Sequence, residues 1–274
     1  MNFALIGKDK KIVMGRGYEE MLYKVFFASP HTDSAFPTSL LLPIVADRCS
    51  LEVARMSHCD HNIFNCDYQP GSLHTFLADV PAPLLIVTTN YDDLIERALD
   101  QWNSQPGNAA RPYDVVIHTT EVTSGDRLLW WPYGATEPRK VNPNKLDLEL
   151  EERTVIYKMH GAVDRREPSR DQYVITEDDY IDFLARMTKN KAIPAIFAEA
   201  FQTRHFLFLG YGLNDWNLRV VLNRIERDLR RPKGIKSWAI QYKPKPIEAR
   251  FWQERGVEVY DQLLDEFVKR ITSR

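Results

Sequence analysis

Apolar positions along the chain fall into two kinds of run, and the change from one to the other is clearest between Leu84 and Trp102. Leu84–Val87 is an unbroken apolar stretch following Pro81 and Pro83, the pattern of a strand buried on both faces of a parallel sheet. From Asp93 the period becomes helical. Leu94, Ile95, Ala98, Leu99 and Trp102 share one face, while Asp93, Glu96, Arg97 and Asp100 fall elsewhere. The alternation recurs down the chain. Thr154–Met159 and His205–Leu209 read as further core strands, and the second leads into a helix with Leu218, Val221, Leu222, Ile225 and Leu229 inward. Strand Ser237–Gln241, helix Ile247–Glu254, strand Gly256–Tyr260 and helix Leu263–Ile271 then close the chain. Strands alternating with helices predict an α/β fold with a doubly wound, mainly parallel sheet.

The intervening stretches carry weaker signals. Pro70-Gly71-Ser72 starts a short helix with Leu73, Phe76 and Leu77 inward, and Tyr113–His118 and Gln172–Thr176 read as strands. Thr176 can cap a helix carrying Tyr180, Ile181, Phe183 and Leu184, and another helix is expected over Ile193–Phe201. Residues 119–152 hold turn signals, Trp130-Trp131 and a charged run, and so long a connection reads as a loop or lid. Near the start, Gly15-Arg16-Gly17 lies between a possible strand, Lys11–Met14, and a possible helix. That order suits a simple turn or a phosphate cradle, although the third glycine of a dinucleotide loop is absent. The whole of 1–274 reads as a single domain.

Composition narrows the class. An apolar fraction of 44% over 274 residues supports a sizeable core, and a net charge of −2 gives no basic excess of the kind that drives non-specific nucleic-acid binding. The cluster Arg224, Arg227, Arg230, Arg231, Lys233 and Lys236 reads as a solvated helix end or a docking patch. No apolar run approaches the roughly 18–20 residues that span a membrane. The three cysteines, all between positions 49 and 66, make a poor disulfide framework, so a reducing cytoplasm is expected. His58, Cys59, His61, Cys66 and His74 are ligand-type side chains without the close paired spacing of a zinc site.

Three predicted core strands end in groups capable of chemistry. The first ends in Thr88-Thr89-Asn90-Tyr91-Asp92, the second in His160-Gly161 and the third in Gly210-Tyr211-Gly212-Leu213-Asn214-Asp215. Parallel strands bring their carboxyl ends to one edge, where open α/β sheets bind ligands. Each feature also has a plainer reading. Thr, Asn and Asp cap strand ends, the glycine loop is a helix cap with a tight turn, and a strand-end histidine is often a satisfied structural group. As functional groups, Gly210 and Gly212 would let backbone approach a ligand, the helix start near Asn214 would offer N–H groups, and His160 would accept a proton near neutral pH.

These stretches, with Lys158-Met159-His160-Gly161, Tyr173–Tyr180 and Phe208–Arg219, resemble the successive motifs of sirtuin-like domains. More narrowly, they are similar to the bacterial sirtuin-like NAD hydrolases that act as effectors in anti-phage defence. The resemblance runs from about residue 70 to the end, with four motifs in the family order. It implies a Rossmann-like NAD-binding domain in which Asn90 and Asp92 stand for the asparagine–aspartate pair around the nicotinamide ribose. It makes His160 the catalytic histidine and assigns Thr89, Gly210, Tyr211, Gly212 and Asn214 to NAD binding. The implied reaction is cleavage of the nicotinamide–ribose bond, depleting NAD in abortive infection. NAD is then the substrate, no metal is required, and a homo-oligomer or a partner or sensor domain is expected. A catalytically silent module that binds a nucleotide or a partner, and an NAD-dependent deacylase, are the rival readings.

Two departures from the family pattern bear on these readings. Deacylase sirtuins carry a four-cysteine zinc module in their second half, whereas this chain has no cysteine after Cys66. That favours hydrolysis over deacylation. The Gly-Ala-Gly-x-Ser opening that cradles pyrophosphate is missing, and Gly15-Arg16-Gly17 is a poor substitute. An N-terminal truncation or weak NAD binding is expected from that.

Overall fold

The computed structural model describes residues 69–119, 128–164, 167, 172–174, 179, 181, 183, 185, 194, 196, 197, 200, 206–210 and 237–272. Gly15 and Gly17, the set from His58 to Cys66, Tyr211, Gly212, Asn214 and the basic cluster from Arg224 to Lys236 lie outside them. The chain divides into two compact units, one running to Phe183 and the other from residue 184 onward.

In the first unit, α1 (Ser72–Asp79) leads to β1 (Leu85–Thr88), α2 (Leu94–Asn103), β2 (Tyr113–His118), β3 (Leu128–Trp131), β4 (Arg139–Val141) and β5 (Thr154–Lys158). Two short strands, β6 (Gly161–Ala162) and β7 (Gln172–Tyr173), pair antiparallel. The main sheet has the order β1-β5-β2-β3-β4. β5 lies between β1 and β2 and is parallel to both, while β3 and β4 extend the sheet antiparallel.

Register explains where the core sits. Ile86, Ile156, Val115 and Trp131 form one row across four strands. Two residues further along, Thr88, Lys158, Ile117 and Leu129 form the next. Side chains alternate at period two, so both rows project to one face. Ala98 and Leu99 of α2 and Ala78 of α1 pack there against Val115, Ile117, Ile156 and Leu129, with Ile95 and Trp102 at the margin. The predicted face of α2 is therefore the one that is buried. In α1 the burial differs from expectation: His74 and Ala78 are inside, whereas Leu73, Phe76 and Leu77 are only half-buried. The helix is short and its N-cap residue Gly71 is itself buried, so contacts at its start decide the facing surface rather than the apolar stripe.

The stretch 119–152 is not one connection. Leu128–Trp131 is an apolar tetrad long enough to pair with β2, and Asp114 ties the hairpin down. Its carboxylate accepts from Trp130 Nε1 at 3.0 Å and from the Tyr133 N–H at 2.9 Å. Arg153 lies 3.8 Å from the same carboxylate.

The second unit holds a wholly parallel sheet, β8 (Phe206–Leu209), β9 (Ser237–Gln241) and β10 (Val257–Asp261), in the order β10-β9-β8. α3 (Pro246–Glu254) and α4 (Leu264–Thr272) accompany it. Phe208, Ala239, Trp252 and Val257 form its core. No described helix is long and apolar enough to cross a membrane.

Ile156 sits in β5, flanked by β1 and β2, and is fully buried. Ile156→Ala should destabilise the chain by about 2–5 kcal/mol, the usual range for an aliphatic side chain cut back to Ala in a core. Denaturant unfolding monitored by far-UV circular dichroism would measure it.

Candidate functional site

The carboxyl ends of β1 and β5 lie side by side because Thr88 and Lys158 are register partners. The Met159 N–H extends the pairing one step by donating to Thr88 O at 3.0 Å. Beyond this point the two chains diverge into the segments that carry Asn90, Asp92 and His160.

The first segment turns immediately. Thr88 Oγ1 accepts from the Asn90 N–H at 3.0 Å, which bends the backbone away from the strand. Thr89 is buried, while Asn90 and Asp92 are half-buried. Asp92 Oδ1 accepts from the Leu94 N–H at 3.1 Å. The capping role open to an Asp at a helix start is thus filled by Asp92, although Asp93 occupies the cap position and makes no side-chain cap bond.

The second segment turns at Gly161, whose φ of +94° lies in the region that side chains rarely adopt. This explains a glycine directly after His160. The histidine is buried, and its ring meets the Phe183 ring edge-on at 5.3 Å. His118, at the end of β2, meets the same phenylalanine at 5.4 Å. His118 alternates with Ile117, so Phe183 covers the sheet face opposite α2.

Three hydrogen bonds strap the segments together. The Val163 N–H donates to Tyr91 O at 3.0 Å, the Tyr91 hydroxyl donates to Val174 O at 2.8 Å, and the Val174 N–H donates to His160 O at 2.8 Å. Tyr91 is buried at the centre of this circuit. Beneath the first segment, Lys158 Nζ lies 2.8 Å from Glu96 Oε1 and also donates to the backbone carbonyl of Asp92. Burial pushes the Glu96 carboxyl up, and the Lys158 ammonium pulls it partly back.

His74 also belongs to this neighbourhood. Its Nδ1 accepts from the Gly71 N–H at 2.9 Å, which places the proton of the neutral ring on Nε2. Burial lowers its pKa, and the Asp92 carboxylate acts in the opposite direction. In the sequence His74 stood among possible metal ligands. Among the described residues, no group of three or more His, Cys, Asp or Glu side chains is arranged to hold a metal ion.

One unit therefore brings Thr89, Asn90, Asp92 and His160 to a single sheet edge. Gly210 belongs to the other unit, where it ends β8 with a φ of +70°. The structural parts played by Tyr91, Lys158 and His74 come from tertiary contacts. For Lys158 a signal existed, since period-two alternation from Ile156 points it at α2.

The site residues form a set of an amide, a carboxylate and an imidazole, which can orient a polar substrate and move a proton. Comparison with known proteins gives the family. The family model described as "SIR2-like domain" matches residues 84–260. The protein named NAD(+) hydrolase ThsA from Acinetobacter baumannii (strain 532279) is 31% identical over 158 residues, 57% of this chain and 25% of that protein. ThsA from Bacillus cereus (strain MSX-D12) is 30% identical over 71% of this chain and 34% of its own length. Defense-associated sirtuin 2 from Bacillus subtilis is 25% identical over 73% of this chain and 16% of its own. The matched stretches thus span only about a sixth to a third of these relatives' lengths.

The depressed His74 pKa predicts a pH effect. A histidine that titrates lower in the fold than in the unfolded chain contributes stability that is fully present above the unfolded pKa of about 6.5. That stability is lost as pH falls toward the folded value. Between about pH 7 and pH 5 the melting temperature should fall more steeply for the wild type than for His74→Gln. Parallel curves would remove His74 as the source.

Proposed function

We propose, on the footing that the chain belongs to the SIR2-like domain family, that its site hydrolyses NAD at the nicotinamide–ribose bond. The observation that carries the reading is the strap joining the Asn90–Asp92 segment to His160 through Tyr91, Val163 and Val174. Relatives named as NAD(+) hydrolases and as a defence-associated sirtuin support the substrate and a role in defence.

In this mechanism the bond between the ribose C1′ and the nicotinamide nitrogen breaks. Its electron pair leaves with nicotinamide, and an oxocarbenium-like ribosyl centre develops. Asn90 orients the ribose hydroxyls or the attacking water. The Asp92 carboxylate adds negative charge near the developing cation while its Oδ1 also caps α2. Water adds to C1′ and yields its proton to His160, giving nicotinamide, ADP-ribose and a proton. Thr89, Gly210, Tyr211, Gly212 and Asn214 are assigned to NAD binding. NAD depletion by this reaction would make the chain an effector segment of a defence protein, working as a homo-oligomer or beside a sensor domain.

Asn90→Ala should lower nicotinamide release at least about a hundredfold, since positioning of a reacting group is worth that much. It should change stability by about 1 kcal/mol or less. Rates equal to wild type at matched melting temperature would end the catalytic assignment. NAD binding without turnover by the wild-type chain would favour the silent module instead.

His160→Ala should abolish turnover, and His160→Gln should fail to restore it, because an amide hydrogen-bonds but accepts no proton near neutral pH. A Gln variant close to wild-type rate would reduce His160 to an orienting role. Product analysis by chromatography separates nicotinamide and ADP-ribose from any other cleavage.

A further inference from the structure

Lys158 stands two residues before His160 in the row facing α2, where its neighbours across the sheet are Thr88 and Ile117. Its side chain is 2% exposed and that of its ion-pair partner Glu96 is 15% exposed. A buried ion pair is poor evidence for stability, because desolvation of both charges offsets much of their attraction. An apolar residue would match Ile117 and Leu129 in its row at lower cost. The ammonium must therefore be weighed by its second contact, the backbone carbonyl of Asp92. That carbonyl lies within the turn whose neighbouring bonds run from Asn90 N–H to Thr88 and from Leu94 N–H to Asp92.

We propose that Lys158 is a positioning residue for the reaction: its ammonium, anchored by Glu96, clamps the Asp92 carbonyl and thereby holds Asn90 and Asp92 in register with His160. The inference rests on the NAD-hydrolase reading for its consequence in rate, though not for the clamp itself. Lys158 is fixed to one strand end and grips the segment leaving the neighbouring one. A shift of that segment would misplace the Asn90 amide relative to His160 while leaving the strands themselves in place. Small misplacements of this kind lower turnover more than substrate binding.

The discriminating variant is K158M/E96L in the full chain, which replaces the ion pair by apolar side chains of similar length and leaves no buried charge alone. Two readouts are needed: kcat and KM for NAD, and hydrogen exchange of peptides covering 88–96. With the melting temperature kept near wild type, kcat should fall at least about tenfold with KM within about twofold, as expected when a transition-state interaction alone is lost. Protection in 88–96 should fall as well. Unchanged protection overturns the clamp whether or not the wild type turns over NAD, and lost protection with wild-type kcat overturns its role in the reaction. An inactive wild type would count against the hydrolase reading while exchange still judged the clamp. Should the double variant not fold, K158Q/E96Q takes its place, because a shorter neutral pair leaves no buried charge alone and withdraws the ammonium from the Asp92 carbonyl. Lower protection in 88–96 together with at least about a tenfold fall in kcat supports the clamp, and wild-type protection or wild-type kcat overturns it.

Discussion

The site depends on the parallel pairing of β1 with β5. Thr88 opposite Lys158 is the last paired position, and the next hydrogen bond, Met159 N–H to Thr88 O, lies at the point of divergence. Parallel strands need a long crossover between them, so residues far apart in sequence leave the sheet side by side. Every later contact between the two segments elaborates this geometry. The Tyr91 hydroxyl reaches Val174 and Val174 reaches back to His160 because the strand ends already lie together.

Charge is taken inside around this edge at a cost that the core itself does not require. Lys158 lies in a row otherwise occupied by Ile117, Leu129 and Thr88, and Glu96 borders the buried face of α2. Burial lowers the His74 pKa, against the opposing pull of the Asp92 carboxylate. Such groups are tolerated when hydrogen bonds and opposite charges compensate them. Their concentration under the Asn90–Asp92 segment fits a requirement for one backbone arrangement there, beyond what folding needs.

Much of this was legible in the chain itself. The apolar runs at 85–88 and 154–158, and the helical face Leu94, Ala98 and Leu99, appear within a residue or so of their expected bounds. The cause is local, since period and propensity act over a few residues. Two stretches were read differently. Leu128–Trp131 reads from sequence as part of a loop because the run is only four residues long between turn signals, and antiparallel pairing with β2 is what makes it a strand. The α1 surface was misjudged because a buried histidine bonded to Gly71 outranks Leu73 and Leu77 there.

By itself the sequence determined the alternation of strands and helices, the polar residues at strand ends, and the family to which those motifs belong. These are properties of short windows, where hydrophobic period and residue chemistry suffice. Tertiary structure alone decided which strands are neighbours, that Tyr91 closes the circuit between Val174 and Val163, and that Lys158 meets Asp92 and Glu96. Each such contact joins residues separated by a crossover, and no local rule relates them. Only the packing of α2 on the sheet brings the ammonium, the carbonyl and the carboxylate within bonding distance.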